Sequence, residues 1–165
     1  MNNKGFTMVE IIAVIAILGL LVVITTPAYN SISSNIKEKN YNSKKSTIES
    51  QTLSYVEKYL KDKVYDGTKK DGSGNIITEK LCIKIEYLIQ NGIINSDSEK
   101  EEYIENDING DLYGDIEENE NYKEAYVFVN YDNINFKLKA EFKEGKIAEA
   151  IDEYKCDDLF IYEGV

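Results

Sequence analysis

Three groups of residues in this chain are of a type and spacing to do chemistry. The first is Glu10, a carboxylate inside an otherwise apolar run from Phe6 to Thr26. The second is Asp107, Asn109, Asp111, Asp115 and Glu118, which set oxygen side chains at positions one, three, five, nine and twelve of a loop. Hard oxygens at that spacing wrap a Ca²⁺ ion in helix–loop–helix sites. The third is Cys82 and Cys156, an even pair far apart in sequence.

Composition narrows what these groups can do. The chain has 165 residues and a formal net charge of −11. Its 19 cations are all lysines, with no histidine and no arginine. Without the guanidinium fork an acidic chain is a poor phosphate reader, so no direct nucleic-acid binding is expected. Without histidine the commonest general base and metal ligand is missing. No GxSxG, phosphate-binding loop or Cys–His pair is present, and no pair of carboxylates stands out, so an enzyme is not expected. With no CxxC, a redox site is not expected either.

Glu10 sets the central problem. Phe6 to Thr26 spans about 30 Å as a helix at roughly 1.5 Å per residue, the thickness of a bilayer's hydrocarbon core. A charged residue inside such a segment costs about 2.5–3.5 kcal/mol on insertion, less near the interface, and usually marks function. Three readings account for it. A secretory signal peptide would be cut near Thr25 to Ala28, but Glu10 in the apolar stretch and Pro27 before the cut argue against it. A plain anchor would let Glu10 snorkel to the interface. Cleavage between Gly5 and Phe6 would leave a cationic amine on Phe6, which the Glu10 of a neighbouring copy would pair with. Gly19 and Pro27 weaken the helix by about 1 and 3 kcal/mol, and Pro27 is expected to kink or end it locally.

Lys4-Gly5-Phe6-Thr7-Met8-Val9-Glu10, a short basic leader ending in Gly, then Phe, then Glu inside an apolar helix, resembles the prepilin signal of type IV pilins and pseudopilins. The resemblance is strong to about Val64 and architectural beyond. It implies cleavage after Gly5 and N-methylation of Phe6 by a prepilin peptidase. It also implies that Glu10 docks each new subunit into a helical filament, and that the segment from Gly19 to Pro27 unwinds when the fibre stretches. The implied partners are copies of itself and other pilins, the peptidase, an assembly platform in the cytoplasmic membrane, and lipid before assembly. The implied location is that membrane, as a single-pass protein, and then a pilus at the cell surface. The implied functions are a structural pilus subunit, a minor pilin that binds a surface, or a pseudopilin of a secretion or DNA-uptake machine.

The elements that position these groups follow from periodicity. The chain divides into a leader (1–5), an apolar membrane-spanning or fibre-core helix (6–27), an amphipathic continuation (28–64) and a globular head (65–165), roughly 100 residues and near the commonest domain size. In the continuation, Ile48, Tyr55, Val56, Tyr59, Leu60 and Val64 form an apolar stripe that carries the head, while Lys37 to Ser46 is polar all round. Asp66 to Asn75 reads as a turn-rich loop. A second helix is expected from Thr78, with Leu81, Ile85, Leu88 and Ile89 on one face and Gly92 as its stop. Ile93 to Glu120 reads as a long acidic loop with at most a short helix or strand. Strands are expected at Ala125–Tyr131 and Asn135–Phe142 about a turn at Asp132-Asn133, then at Ile147–Ile151 after a turn at Lys143–Lys146, with a fourth at Phe160–Tyr162. The fold class is α+β, a long helix packed on a small antiparallel sheet, with the pilin-like arrangement that the resemblance implies.

Within that head the calcium loop departs from its pattern at position six, where Leu112 stands in place of glycine. The alternative is a solvated acidic loop. Cys82 and Cys156 either remain free thiols or form a bridge, which an extracellular head would permit. A bridge closing about 75 residues is worth roughly 4.5 kcal/mol in the chain-entropy model. Type IV pilins often staple their C-terminal region in this way, which favours the bridge. The thirteen tyrosines read as sheet and interface residues.

Overall fold

The computed structural model describes residues 5–74, 76–115, 119–132 and 134–146, with the backbone alone at 24–28, 66, 69 and 77. The chain divides into two units, Met1–Lys39 and Asn40–Val165. The division falls inside the first helix, α1, Met8–Tyr59.

From Met8 to Val23 α1 is apolar on every face, Glu10 excepted. Ile11, Ile12, Val14, Ile15, Leu18 and Leu21 are all exposed. A helix apolar all round belongs in hydrocarbon or among other helices. Among the described residues no helix is long and apolar enough to cross a membrane. The apolar side chains described run from Met8 to Val23, about 24 Å of helix against roughly 30 Å of hydrocarbon. Pro27 does not end the helix, which continues through it. Proline removes one backbone donor, and the bonds on either side hold the ladder together.

In the second unit α1 turns one face to a core. Tyr41, Ile48, Thr52 and Val56 are buried, and the Thr52 hydroxyl donates to the Ile48 carbonyl at 2.8 Å. The helix was expected to reach Val64 but leaves helical geometry at Leu60, with φ −127° and ψ 9°. A separate turn, α2, Lys61–Val64, follows. Leu60 and Val64 still reach the core, whereas Tyr59 is 62% exposed and is not part of the stripe.

The stretch expected to be a loop over Asp66–Asn75 is instead largely a hairpin. Strand β1, Tyr65–Lys70, pairs antiparallel with β2, Ile76–Thr78. Only the residues about Asp71–Gly74 turn, with the Asp71 side chain accepting from Ser73 N at 2.9 Å. The expected second helix is also shorter than its pattern. Leu81–Lys84 is strand β3, and only Ile85–Gln90 is helical, as α3. Leu81, Cys82 and Ile83 are consecutive and all buried, which a strand covered on both faces allows and a one-sided helix does not. Gly92 stops α3 as expected. At φ +64° it donates to Ile89 O while Ile93 N donates to Leu88 O, both at 2.9 Å, the paired bonds of a Schellman stop.

The acidic stretch carries two short strands, β4 Tyr103–Glu105 and β5 Leu112–Gly114, paired antiparallel. Gly114 is required there, since a Cβ would lie 2.6 Å from the Glu102 carbonyl oxygen. Strands β6, Ala125–Asp132, and β7, Lys137–Glu144, form the expected hairpin. The main sheet runs β3-β6-β7 among the described residues. β6 lies in the middle, and Ala125 to Val129 are all buried rather than alternating. The expected strands at 147–151 and 160–162 lie outside the described residues.

Asp132 fixes the β6–β7 turn. Its carboxylate accepts from Ile134 N at 2.9 Å, Asn135 N at 3.1 Å and Asn135 Nδ2 at 2.7 Å, and pairs with Lys139 at 2.5 Å. The Lys139 ammonium first, then these amides, hold its carboxyl well below the usual carboxylate range.

Two outcomes follow from this packing. Leu88→Ala, at a fully buried position, should lower the unfolding free energy of the detergent-solubilised chain by about 2–5 kcal/mol, while Tyr59→Ala should change it by less than about 1 kcal/mol; denaturant titration reads both. A lowered folded pKa means that Asp132 contributes stability above its unfolded value near pH 4, lost as pH falls through the folded value. Thermal midpoints measured from pH 5 down to pH 2 should therefore fall less steeply for Asp132→Asn than for the native chain.

Candidate functional site

Gly5, Phe6 and Thr7 are outside any regular element and exposed, directly ahead of α1. The Gly5–Phe6 bond thus lies outside regular structure, and Phe6 is 82% exposed. Thr7 and Glu10 then close the helix start on themselves. Glu10 Oε2 accepts from Thr7 N at 2.8 Å and from Thr7 Oγ1 at 2.9 Å. Thr7 Oγ1 in turn accepts from Glu10 N at 3.3 Å. This is a capping box, which satisfies two backbone donors that would otherwise be orphaned at the helix start. Both bonds to Glu10 fall on Oε2, and among the described residues Oε1 accepts none. Thr7 is the site residue that the sequence reading left out. Its signal, Thr-x-x-Glu ahead of an apolar run, stands at Thr7–Glu10.

Gly19 lies within α1, and a Cβ built on it would meet nothing within 4 Å. Its position is open, with no packing contact within the chain to explain the glycine. The side chain of Pro27 lies outside the description.

In its described part the acidic loop engages its acids separately. Asp107 to Asp111 is the turn between β4 and β5, with Asn106 N donating to Asp111 O at 2.8 Å. Leu112, at the position where glycine was needed, opens β5. Asp107 pairs with Lys44 at 3.3 Å and Asp111 with Lys123 at 2.6 Å. Asn109 turns its amide donor to Asp111 at 3.0 Å. Lysine ammoniums thus neutralise these carboxylates separately. Among the described residues no group of three or more acids or cysteines is gathered to hold a metal. Glu118 lies outside the described residues.

Lys44 also pairs with Asp97 and donates to the Glu105 carbonyl, both at 2.8 Å. Burial works to lower its pKa, and Asp97 and Asp107 outweigh that and raise it. One helical residue along, Lys45 lies 2.9 Å from Glu144, which also accepts from the Tyr41 hydroxyl at 2.8 Å. Burial works to raise the Glu144 carboxyl, but Lys45, Tyr41 and Tyr113 leave it lowered. Burial, with Glu144 adding to it, pushes Tyr41 well above the ordinary tyrosine value, and burial pushes Tyr113 up to about 12. These groups tie the helix to the head, and Asp111, Tyr113, Lys123 and Glu144 among them also line an open cavity of about 630 Å³. Cys82 is buried on β3 and is not a free thiol; Cys156 lies outside the described residues.

Residues 1–26 match the prokaryotic N-terminal methylation motif. No curated protein and no solved structure matches the chain. The motif covers the segment in which Gly5, Phe6, Thr7 and Glu10 stand together, and the amino-terminal segment of this chain is a type IV prepilin-like signal ahead of an α+β head.

Proposed function

We propose that this protein is a structural subunit of an extracellular type IV pilus-like filament. A prepilin peptidase removes residues 1–5 and methylates the new amine on Phe6. Before assembly the chain sits in the cytoplasmic membrane through a single pass of α1. It is then drawn into a filament by packing its apolar helix against those of other copies and other pilins. The head does no catalysis. It is carried outside the cell, where a Cys82–Cys156 bridge would tie β3 to the C-terminal segment.

The observation that carries this reading is the state of Glu10. Its Oε2 is engaged by Thr7 and its Oε1 is left to accept from elsewhere. In an apolar surrounding the partner that best offsets the cost of the charge is a cation. The free amine of Phe6 on a neighbouring copy is such a cation, and it exists only after cleavage. A plain anchor offers Glu10 no comparable partner. Apolar side chains on all faces of the same helix favour packing among like helices over one-sided docking.

Glu10→Gln keeps size and a capping hydrogen bond but removes the charge. Cells carrying it should still convert the precursor to the mature form, while filament protein sheared from the surface falls at least tenfold. Wild-type yield from Glu10→Gln would contradict the pairing, and loss of cleavage together with filaments would move the role of Glu10 from assembly to processing.

A further inference from the structure

The β6–β7 tip is built in a way that the head's own stability does not explain. Phe136 has φ 53° and is the one non-glycine residue with positive φ among those described. A bulky side chain there meets a steric cost that glycine or asparagine would avoid. Its ring is nonetheless 78% exposed, and Ile134 beside it is 85% exposed. The turn is held rigidly by Asp132, so these two side chains are presented rather than left loose. Behind Phe136 lies a recess of about 190 Å³ lined by Glu57, Lys61, Tyr65, Tyr131, Lys137 and Leu138. Its Tyr65 and Tyr131 rings stack at 4.2 Å. The tip is thus an apolar pair whose rim carries two lysines against one glutamate, on a chain of net charge −11.

The opposite end of β6 has the opposite character. Tyr113 of β5 bridges to Lys123, just before β6 begins, and Tyr122 donates to Glu101 at 3.0 Å. This brings exposed Glu99, Glu101, Glu102 and Glu120 to the Ala125 end of the strand, with Lys100 and Lys123 among them and the acids in excess. At about 3.3 Å per residue, the eight residues of β6 separate the two ends by roughly 25 Å. Copies of so acidic a chain repel one another over most of their surface. The lysine-rimmed tip is where that repulsion reverses against the acidic end of another copy.

We propose that the tip docks on the acidic end of the head of a second copy of this chain. Ile134 and Phe136 are buried against it, and Lys61 and Lys137 pair with Glu99, Glu102 and Glu120 of that copy. Such a contact joins two different surfaces, so it does not close on itself and can repeat from copy to copy. The inference rests on the filament reading, and it gives the heads a contact of their own beside the helix packing.

Two readouts test it on the full-length chain. The first is filament yield. Phe136→Gly suits the backbone at φ 53°, so the head should keep or raise its thermal midpoint while sheared filaments fall at least tenfold. Lys61→Glu with Lys137→Glu should do the same, and adding Glu99→Lys with Glu102→Lys should restore most of the yield. The second is a carbodiimide cross-link between light and heavy isotope-labelled copies mixed in detergent, which needs no filament. It should join Lys61 or Lys137 of one copy to Glu99, Glu102 or Glu120 of the other. A native chain that forms no filaments would overturn the filament reading alone, leaving the cross-link to decide the docking. Wild-type filament yield from the tip variants would overturn the docking. So would tip lysines linked only within their own chain or not at all, or filaments that form normally but no longer attach to a foreign surface.

Discussion

An α-helix that is apolar on every face cannot stand in water, and this constraint governs the chain. From Met8 to Val23 the side chains of α1 give solvent nothing polar except Glu10, and the exposure of Ile11, Leu18 and Leu21 is tolerable only in lipid or against other helices. Past Asn40 the same helix obeys a different rule, with Tyr41, Ile48, Thr52 and Val56 buried under the sheet and lysines on its flank. One backbone ladder therefore serves two solvents.

The head is organised around β6. With β3 on one side and β7 on the other, its segment Ala125–Val129 is buried on both faces. β7 is tied back to the helix, since Phe142 N donates to Glu49 Oε1 at 2.9 Å. Lys44 and Lys45 fasten the helix to the acidic stretch and to β7. In a chain with this excess of acid, such lysines serve as structural counter-ions. Asp107 and Asp111 are held in the same way, by Lys44 and Lys123.

The legible parts of the sequence were those with one dominant cause. The prepilin-like signal at residues 1–26 was legible because it rests on contiguous residues of distinctive type, whereas the capping role of Thr7 needs the start of α1 to be known. β7 was readable because Leu138 and Phe142 alternate with exposed residues. β3 was not, because Leu81, Cys82 and Ile83 form a short apolar run that periodicity cannot divide between helix and strand. Pairing with β6, from Leu81 opposite Val129 to Lys84 opposite Tyr126, decides it. Tyr41 was hidden for a related reason. It stands alone among Lys, Asn and Ser, and only the ring of Phe142, 6.5 Å away, and the carboxylate of Glu144 make it a core residue. The calcium spacing could not show direction, and in the described part of the loop Asp107 and Asp111 turn to different lysines.

The central claim is that Glu10 is kept for a partner that cleavage creates. Intact mass and amino-terminal sequence of the protein sheared from the cell surface test this most directly. The account predicts a chain that begins at a methylated Phe6 and is found in filaments. A surface chain that begins near Tyr29, or one that still begins at Met1, would contradict it, because the first has lost Glu10 and the second has no amine on Phe6.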